Sequence, residues 1–415
     1  MTLSVEEARE LVLNRCRVLE AENVALLESL GGVLAEDVRS DIDVAPFDNS
    51  AMDGYAVHAA DLRAATEDAP ITLNVISHIA AGDYSELAVE RGQAARIMTG
   101  APVPPGADAV VMVEFTIPGK AEGTTGGTVH ITRPVTEGEN IRRRAEEVAA
   151  GDVVLAAGEV IGPAAVGLLA SAGHATARIH RRPRVAVLST GDELVEVTEV
   201  PGPGKIRNSN SYSISAQVIA AGGIPVRYPI LRDDREATRK AFVRAAVETD
   251  FIVTSGGVSV GDFDFVKPVL EELGEMEFCK VAMRPGNPQT LGSIQGVPFF
   301  GLPGNPTSTF VGFEIFVRPA LRYMQGHTCL DRPRQTAILA HDVKKRQDRR
   351  YFLRARIERL ADGTLSVSLS GSQSSALLTA AHHGNCLLVL PEGVGAFPAG
   401  STVEVIRLDM EEVIV

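Results

Sequence analysis

Residues Asp250 to Leu273 read DFIVTSGGVSVGDFDFVKPVLEEL, and the order of residue types along this stretch decides the fold class. A short apolar, β-prone run opens it. A loop holding Gly256, Gly257 and Gly261 follows, and Phe265, Val266, Val269, Leu270 and Leu273 then fall at helical spacing. The pattern predicts strand, glycine loop, helix. Glycine lets a backbone approach a ligand closely, and a helix start offers unpaired N–H groups and the positive end of a dipole, so the junction suits an anion. Asp262 and Asp264 sit in the same loop. Two carboxylates repel a phosphate unless a divalent ion such as Mg2+ lies between them, which makes the loop a candidate phosphate-plus-metal site. Two other readings fit the same residues. One is a tight turn with a capping Asp. The other is the G-x-S-x-G nucleophile elbow of an α/β-hydrolase, with Ser259 as nucleophile. That elbow needs a later acid and a His; His327, His341, His382 and His383 follow, but in a stretch that reads as a separate all-β unit.

The alternation extends outward. Strand patterns at RVAVLST, PVRYPIL, DFIVTSG, MEFCKVAM and VPFFGLP interleave with helix patterns at SYSISAQVIAAG, REATRKAFVRAAVE, FVKPVLEEL and TSTFVGFEIFVRPALRYM. This predicts a largely parallel, doubly wound sheet with helices on both faces, where ligands bind beyond the carboxyl ends of the strands. The polar motifs fall at those ends. Thr190, Gly191, Asp192 and Glu193 follow the first strand, Ser255 to Asp264 the third, and Pro303, Gly304, Asn305 and Pro306 the last, ahead of a helix carrying Ser308 and Thr309. No G-x-G-x-x-G opens the first unit and no G-x-x-x-x-G-K-[ST] occurs, so dinucleotide and P-loop readings lack their motifs.

Ahead of this unit, Ser4 and Glu7 form a capping-box pattern before a helical stripe. Short β-prone runs broken by Gly and Pro then predict a small β-rich domain. Asn140 to Arg144, NIRRR, is a basic run that reads as a solvated face or as a seat for a polyanion. After Gly326 the pattern returns to strands and predicts a small barrel or sandwich, with Lys344, Lys345, Arg346, Arg349 and Arg350 as a solvated hairpin. The 415 residues suggest two to four domains. A formal net charge of −13 argues against nucleic-acid binding, so an anionic substrate needs a local pocket. Cys16, Cys279, Cys329 and Cys386 are scattered, with no zinc or disulfide spacing. No apolar run is long enough to span a bilayer, and a cytoplasmic location is expected.

Seven motifs occur in order: PFDNSAMDGYA, RIMTGAPVP, NIRRR, STGDEL, SGGVSVGDFD, RPGNP and GLPGNP. Together they resemble the molybdopterin molybdenumtransferase family, the MoeA and gephyrin E-domain proteins. The resemblance implies a multidomain α/β plus β chain. A helical domain is expected from residues 1–44 and 146–180, an inserted β-rich domain from 45–145, a doubly wound MogA-like α/β domain from 181–326, and a C-terminal β-barrel from 327–415. It implies a homodimer with the site shared between subunits, and an enzyme that inserts molybdate-derived metal into adenylylated molybdopterin, releasing AMP with Mg2+. Molybdopterin adenylyltransferase is the implied upstream partner. The alternative is a gephyrin-like scaffold for a protein or membrane-receptor partner. Carried over, Asp53, Glu193, Asp234 and Asp264 are the expected catalytic acids, with Asp53, Glu193 and Asp264 as metal ligands. Substrate is expected on Thr99, Thr190, Gly191, Ser255, Gly256, Gly257, Ser259, Gly261, Arg284, Asn287, Pro303, Asn305, Pro306 and Ser308. The family commonly carries two lysines in a KPGKP-like segment; this chain has Arg284 and Asn287 there.

Overall fold

The computed structural model describes residues 2–120, 125–232, 234–256 and 266–410. Its centre is a seven-stranded sheet, ordered Thr2–Leu3, Gly274–Val281, Pro288–Ile294, Val297–Leu302, Phe251–Ser255, Arg184–Ser189, Ile224–Arg227. The last four strands are parallel. The inner three, Val297–Leu302, Phe251–Ser255 and Arg184–Ser189, read as nearly unbroken apolar runs because both faces are covered, while the edge strand Ile224–Arg227 is only partly buried. Side chains alternate between the faces with period two. Val185, Val187, Phe251 and Val253 join Ile214, Val218 and Phe316 in one core, while Ala186, Leu188 and Ile252 join Phe242 and Val269 in the other.

Three sequence expectations change. Pro288–Ile294 is a strand that the pattern misses, and it runs antiparallel to both neighbours. Its opening Pro and internal Gly292 dilute β-propensity, so pairing with two neighbours decides its state. The strand expected over PVRYPIL ends at Arg227, ahead of Pro229, which has no N–H to give a ladder. The first helix, Val5–Leu13, has the expected Ser4–Glu7 capping box. However, Val5, Ala8 and Val12 pack into the α/β core beside Phe313 and Phe316, not into a helical domain. The last helix of the unit runs as Pro306–Gly312, a wide π segment Phe313–Val317, and Arg318–Met324. Pro319 cannot donate to the carbonyl four residues back, which accounts for the wider winding just before it.

Elsewhere, the strands Gly54–Val57, Ile71–Ile79, Gln93–Ile97, Ala109–Met112, Thr116–Pro118 and Thr128–Ile131 form a six-stranded sheet. Residues 21–39 and 153–180 fold together as short ladders around the Pro163–Ser171 helix, with Leu34, Ile161, Leu169 and Ile179 as their core. At the C-terminal end, Arg334–Leu339, Arg350–Arg359, Leu365–Leu369, Cys386–Leu390 and Thr402–Arg407 close into a five-stranded barrel. The barrel is stitched to the α/β unit. Met283–Arg284 pairs in parallel with Arg350 and Tyr351, and Thr307 bonds to the carbonyls of Ser375 and Leu377. This junction brings the RPGNP loop, the GNP turn and the basic hairpin to one place.

Candidate functional site: strand ends and an arginine cavity

Three strand ends converge through backbone bonds. Thr190 N donates to Ser255 O at 3.3 Å, and Gly256 N donates to Leu302 O at 3.1 Å. Gly256 has φ +90°, and a Cβ there would stand 3.0 Å from Thr190 O, so the close approach requires glycine. At Gly191, φ +135°, a Cβ would meet Glu193 Oε2 at 2.2 Å; the Glu193 carboxylate therefore folds back over the glycine. Arg232 donates to Asp192 O and Leu194 O, and Lys205 Nζ to Asp192 O at 2.6 Å, which pins this loop. Asn210 ties the ends together, its Nδ2 donating to Ser255 Oγ at 2.7 Å and to Gly304 O at 2.8 Å. Because a carbonyl can only accept, the amide orientation is fixed. Sequence reading missed Asn210, although it stands two residues after the cap Asn208 of a helix that starts at the site.

Beside this cluster lies a cavity of about 340 Å³, lined by Met283 to Pro288, Pro303, Asn305, Ser308, Arg346, Arg349, Tyr351, Gln373 and Ser375. Among the described residues, its lining carries three arginines and no carboxylate. Tyr351 registers this potential. Burial raises its phenol, but hydrogen bonds from Arg284 and the Arg346 N–H and the charges of Arg284 and Arg349 outweigh that, leaving it below the usual phenol range. Arg354 behind it is buried, and burial together with Arg284 lowers its guanidinium to about 10. Asn287 lines the cavity, but its Nδ2 donates to Val281 O at 2.7 Å, which uses it to hold the loop. The hairpin expected to be merely solvated thus supplies Arg346 and Arg349 to the cavity. Only the pairing of Met283–Arg284 with the barrel reveals that.

The remaining candidates separate. Asp53 lies in the β-rich domain, where its Oδ1 accepts from Thr99 N and Thr99 Oγ1, both at 2.7 Å; these bonds, the backbone one foremost, hold its carboxyl below the usual range. Among the described residues no hydrogen bond or ion pair joins Asp53 to Glu193. Asp234 caps the Arg235–Glu248 helix, accepting from Ala237 N at 2.6 Å. In NIRRR, Arg143 and Arg144 pair with Asp48 and Asp43, across the two segments that join the β-rich domain to the rest of the chain. Gly257, Ser259, Gly261, Asp262 and Asp264 lie outside the described residues. Among the described residues no group of three or more His, Cys, Asp or Glu side chains is placed to hold a metal ion, and no helix is long and apolar enough to cross a membrane.

Comparison with known proteins agrees along the whole chain. Residues 3–173 match the MoeA N-terminal region (domain I and II), 186–323 a probable molybdopterin binding domain, and 336–408 the MoeA C-terminal region (domain IV). The chain is 39% identical over 410 residues to a molybdopterin molybdenumtransferase of Staphylococcus aureus, covering 99% of this chain and 96% of that one. It is 38% identical over 410 residues to that of Bacillus subtilis, covering 99% and 95%. The solved structure of a molybdopterin biosynthesis MoeA protein from Pyrococcus horikoshii superposes with a TM-score of 0.80 at 32% identity, covering 98% of this chain and 99% of that one. The chain belongs to the molybdopterin molybdenumtransferase (MoeA) family.

Proposed function

We propose that this chain inserts molybdenum, delivered as molybdate, into adenylylated molybdopterin and releases AMP. The observation that carries the reading is the arginine cavity without carboxylates, opening beside glycine strand ends. A tetrahedral dianion suits Arg284, Arg346, Arg349, Ser308 and Ser375, because a guanidinium only donates hydrogen bonds and a hydroxyl can turn its hydrogen toward an anion. The phosphate-bearing substrate suits Thr190, Gly191, Ser255 and Gly256, where the backbone can come close. Mg2+ would supply charge neutralisation at the phosphates, a role it fills with few protein ligands and several waters. Glu193 fits as a single ligand there. Asp53 is not bonded to Glu193 within the described residues. We place the reaction in the cytoplasm, in a homodimer that brings Asp53 to the partner's strand ends, downstream of an adenylyltransferase.

The scaffold reading gains nothing from the structure, since a protein-docking surface has no need of a carboxylate-free arginine cavity. The hydrolase reading gains nothing either: His382 and His383 lie side by side at the end of the short Thr379–His383 helix, their rings tilted at 57° with centroids 5.1 Å apart. The test is turnover. Purified protein given adenylylated molybdopterin, Mg2+ and molybdate is expected to release AMP and yield metal-loaded cofactor in equal amounts. No AMP release at any molybdate concentration refutes the proposal.

A further inference from the structure

We infer that Tyr351 is an anion-recognition residue of the arginine cavity: its O–H donates to the bound oxyanion while its oxygen and ring hold the cations of two domains in place. The inference rests on the reading of that cavity as the oxyanion site. Tyr351 stands opposite Arg284 in the strand pair that joins the barrel to the α/β unit. Its oxygen accepts from Arg284 Nη1 on one side and from the Arg346 backbone N–H on the other, each at 3.4 Å. A phenol oxygen that accepts twice has its own hydrogen left to donate, and among the described residues no acceptor is bonded to it. Tyr351 lines the cavity, so a bound oxyanion is the acceptor within its reach.

The ring contributes separately. The Arg284 guanidinium lies 5.4 Å and the Lys345 ammonium 5.1 Å from its centroid, so an electron-rich face steadies two cations that repel one another. Lys345 is further held by the carbonyls of Arg346 and Arg349, both at 2.9 Å. The charged groups around the phenol are Arg284 from the loop, Lys345, Arg346 and Arg349 from the hairpin, and Arg350 and Arg354 from the barrel strand. Asp348 pairs with Arg349, and Glu6 and Glu392 pair with Arg350. Ionisation of the phenol removes the hydrogen it donates and adds a negative charge, so oxyanion affinity must fall as pH rises through its range.

The experiment measures molybdate binding by equilibrium dialysis on the full chain, comparing wild type, Tyr351→Phe and Tyr351→Leu, at neutral pH and between about pH 8 and 10. Phe keeps the ring and the barrel packing. It is expected to bind molybdate at least tenfold more weakly, about 1.4 kcal/mol, and to lack a phase of falling affinity that wild type shows; Leu is expected to be weaker still. Because the Lys345 ammonium faces the same ring, each comparison is repeated in a Lys345→Gln background, which removes its titration from the difference. In wild type, bound molybdate must also move tyrosinate absorbance to higher pH, because a neighbouring anion opposes ionisation. Binding by Phe within twofold of wild type, or the same pH phase in both, overturns the inference and leaves the cavity reading standing. No molybdate binding by wild type overturns the cavity reading and the inference with it.

Discussion

Arg346→Gln is the sharpest test of the arginine cavity, because Arg346 lines it and its side chain forms no ion pair among the described residues. Removing it deletes a charge without orphaning a carboxylate. The cavity is roomy enough for an oxyanion to sit against the Arg346 guanidinium, and a contacting pair of this kind has its charges about 4.5 Å apart. Coulomb's law then gives about 3.7 kcal/mol per unit of anion charge at an effective dielectric of about 20, and about 0.9 kcal/mol in bulk water. Arg346 is exposed, so the lower part of that range governs. For a dianion we expect a net loss of about 1.4–2 kcal/mol, a ten- to thirtyfold rise in the molybdate concentration for half-maximal cofactor formation. The rate at saturating molybdate should hold, and the difference should shrink with added salt. Lys240→Gln makes the same change in net charge on a distant helix and should leave the molybdate dependence unchanged. An Arg346→Gln protein within twofold of wild type, or a Lys240→Gln protein equally impaired, would refute the assignment of the cavity.

Other outcomes follow from the same geometry. Asn287→Lys is expected to raise molybdate affinity by less than the added charge alone predicts, because it breaks the Asn287–Val281 bond; affinity and urea midpoint measured together should move in opposite directions. Asp264→Asn is expected to abolish Mg2+-dependent AMP release with an unchanged circular dichroism spectrum, and comparable activity at matched Mg2+ removes Asp264 from the mechanism. If the proposed homodimer shares its site, mixed dimers of Asp53→Ala and Asp264→Asn subunits are expected to recover part of the activity, since among the described residues no hydrogen bond or ion pair joins Asp53 to Glu193 within one chain; no recovery argues for self-contained sites. Asp250 takes two bonds from Arg181 and one from Arg184 N–H, which outweigh burial and hold its carboxyl below the usual range. Its stabilisation is therefore present above the unfolded value near 3.9 and is lost as pH falls through the folded one, so Asp250→Asn should cost about 2 kcal/mol at pH 7 and progressively less as pH falls below the unfolded value, by urea melts.

What the sequence shows and what it hides divide along the range of the interactions. The parallel strands are legible because burial on both faces leaves an unbroken apolar run, and the Ser4 cap because its partner Glu7 is three residues away. The strand ends are legible because each carries its own glycine and hydroxyl beside an apolar run. Pro288–Ile294 is not, since its strand state comes from neighbours on either side rather than from its own residues. The arginine cavity is the extreme case. Arg284 and Arg346 are sixty-two positions apart, and nothing local distinguishes Lys344–Arg350 from any solvated basic hairpin; the two-residue pairing of Met283–Arg284 with Arg350–Tyr351 is what makes them neighbours. That pairing also lets the barrel supply positive charge, across the domain junction, to the cavity that Asn287 lines. The identity of residue 287 alone therefore does not set the charge of the cavity, and the junction between Arg284 and Tyr351 does.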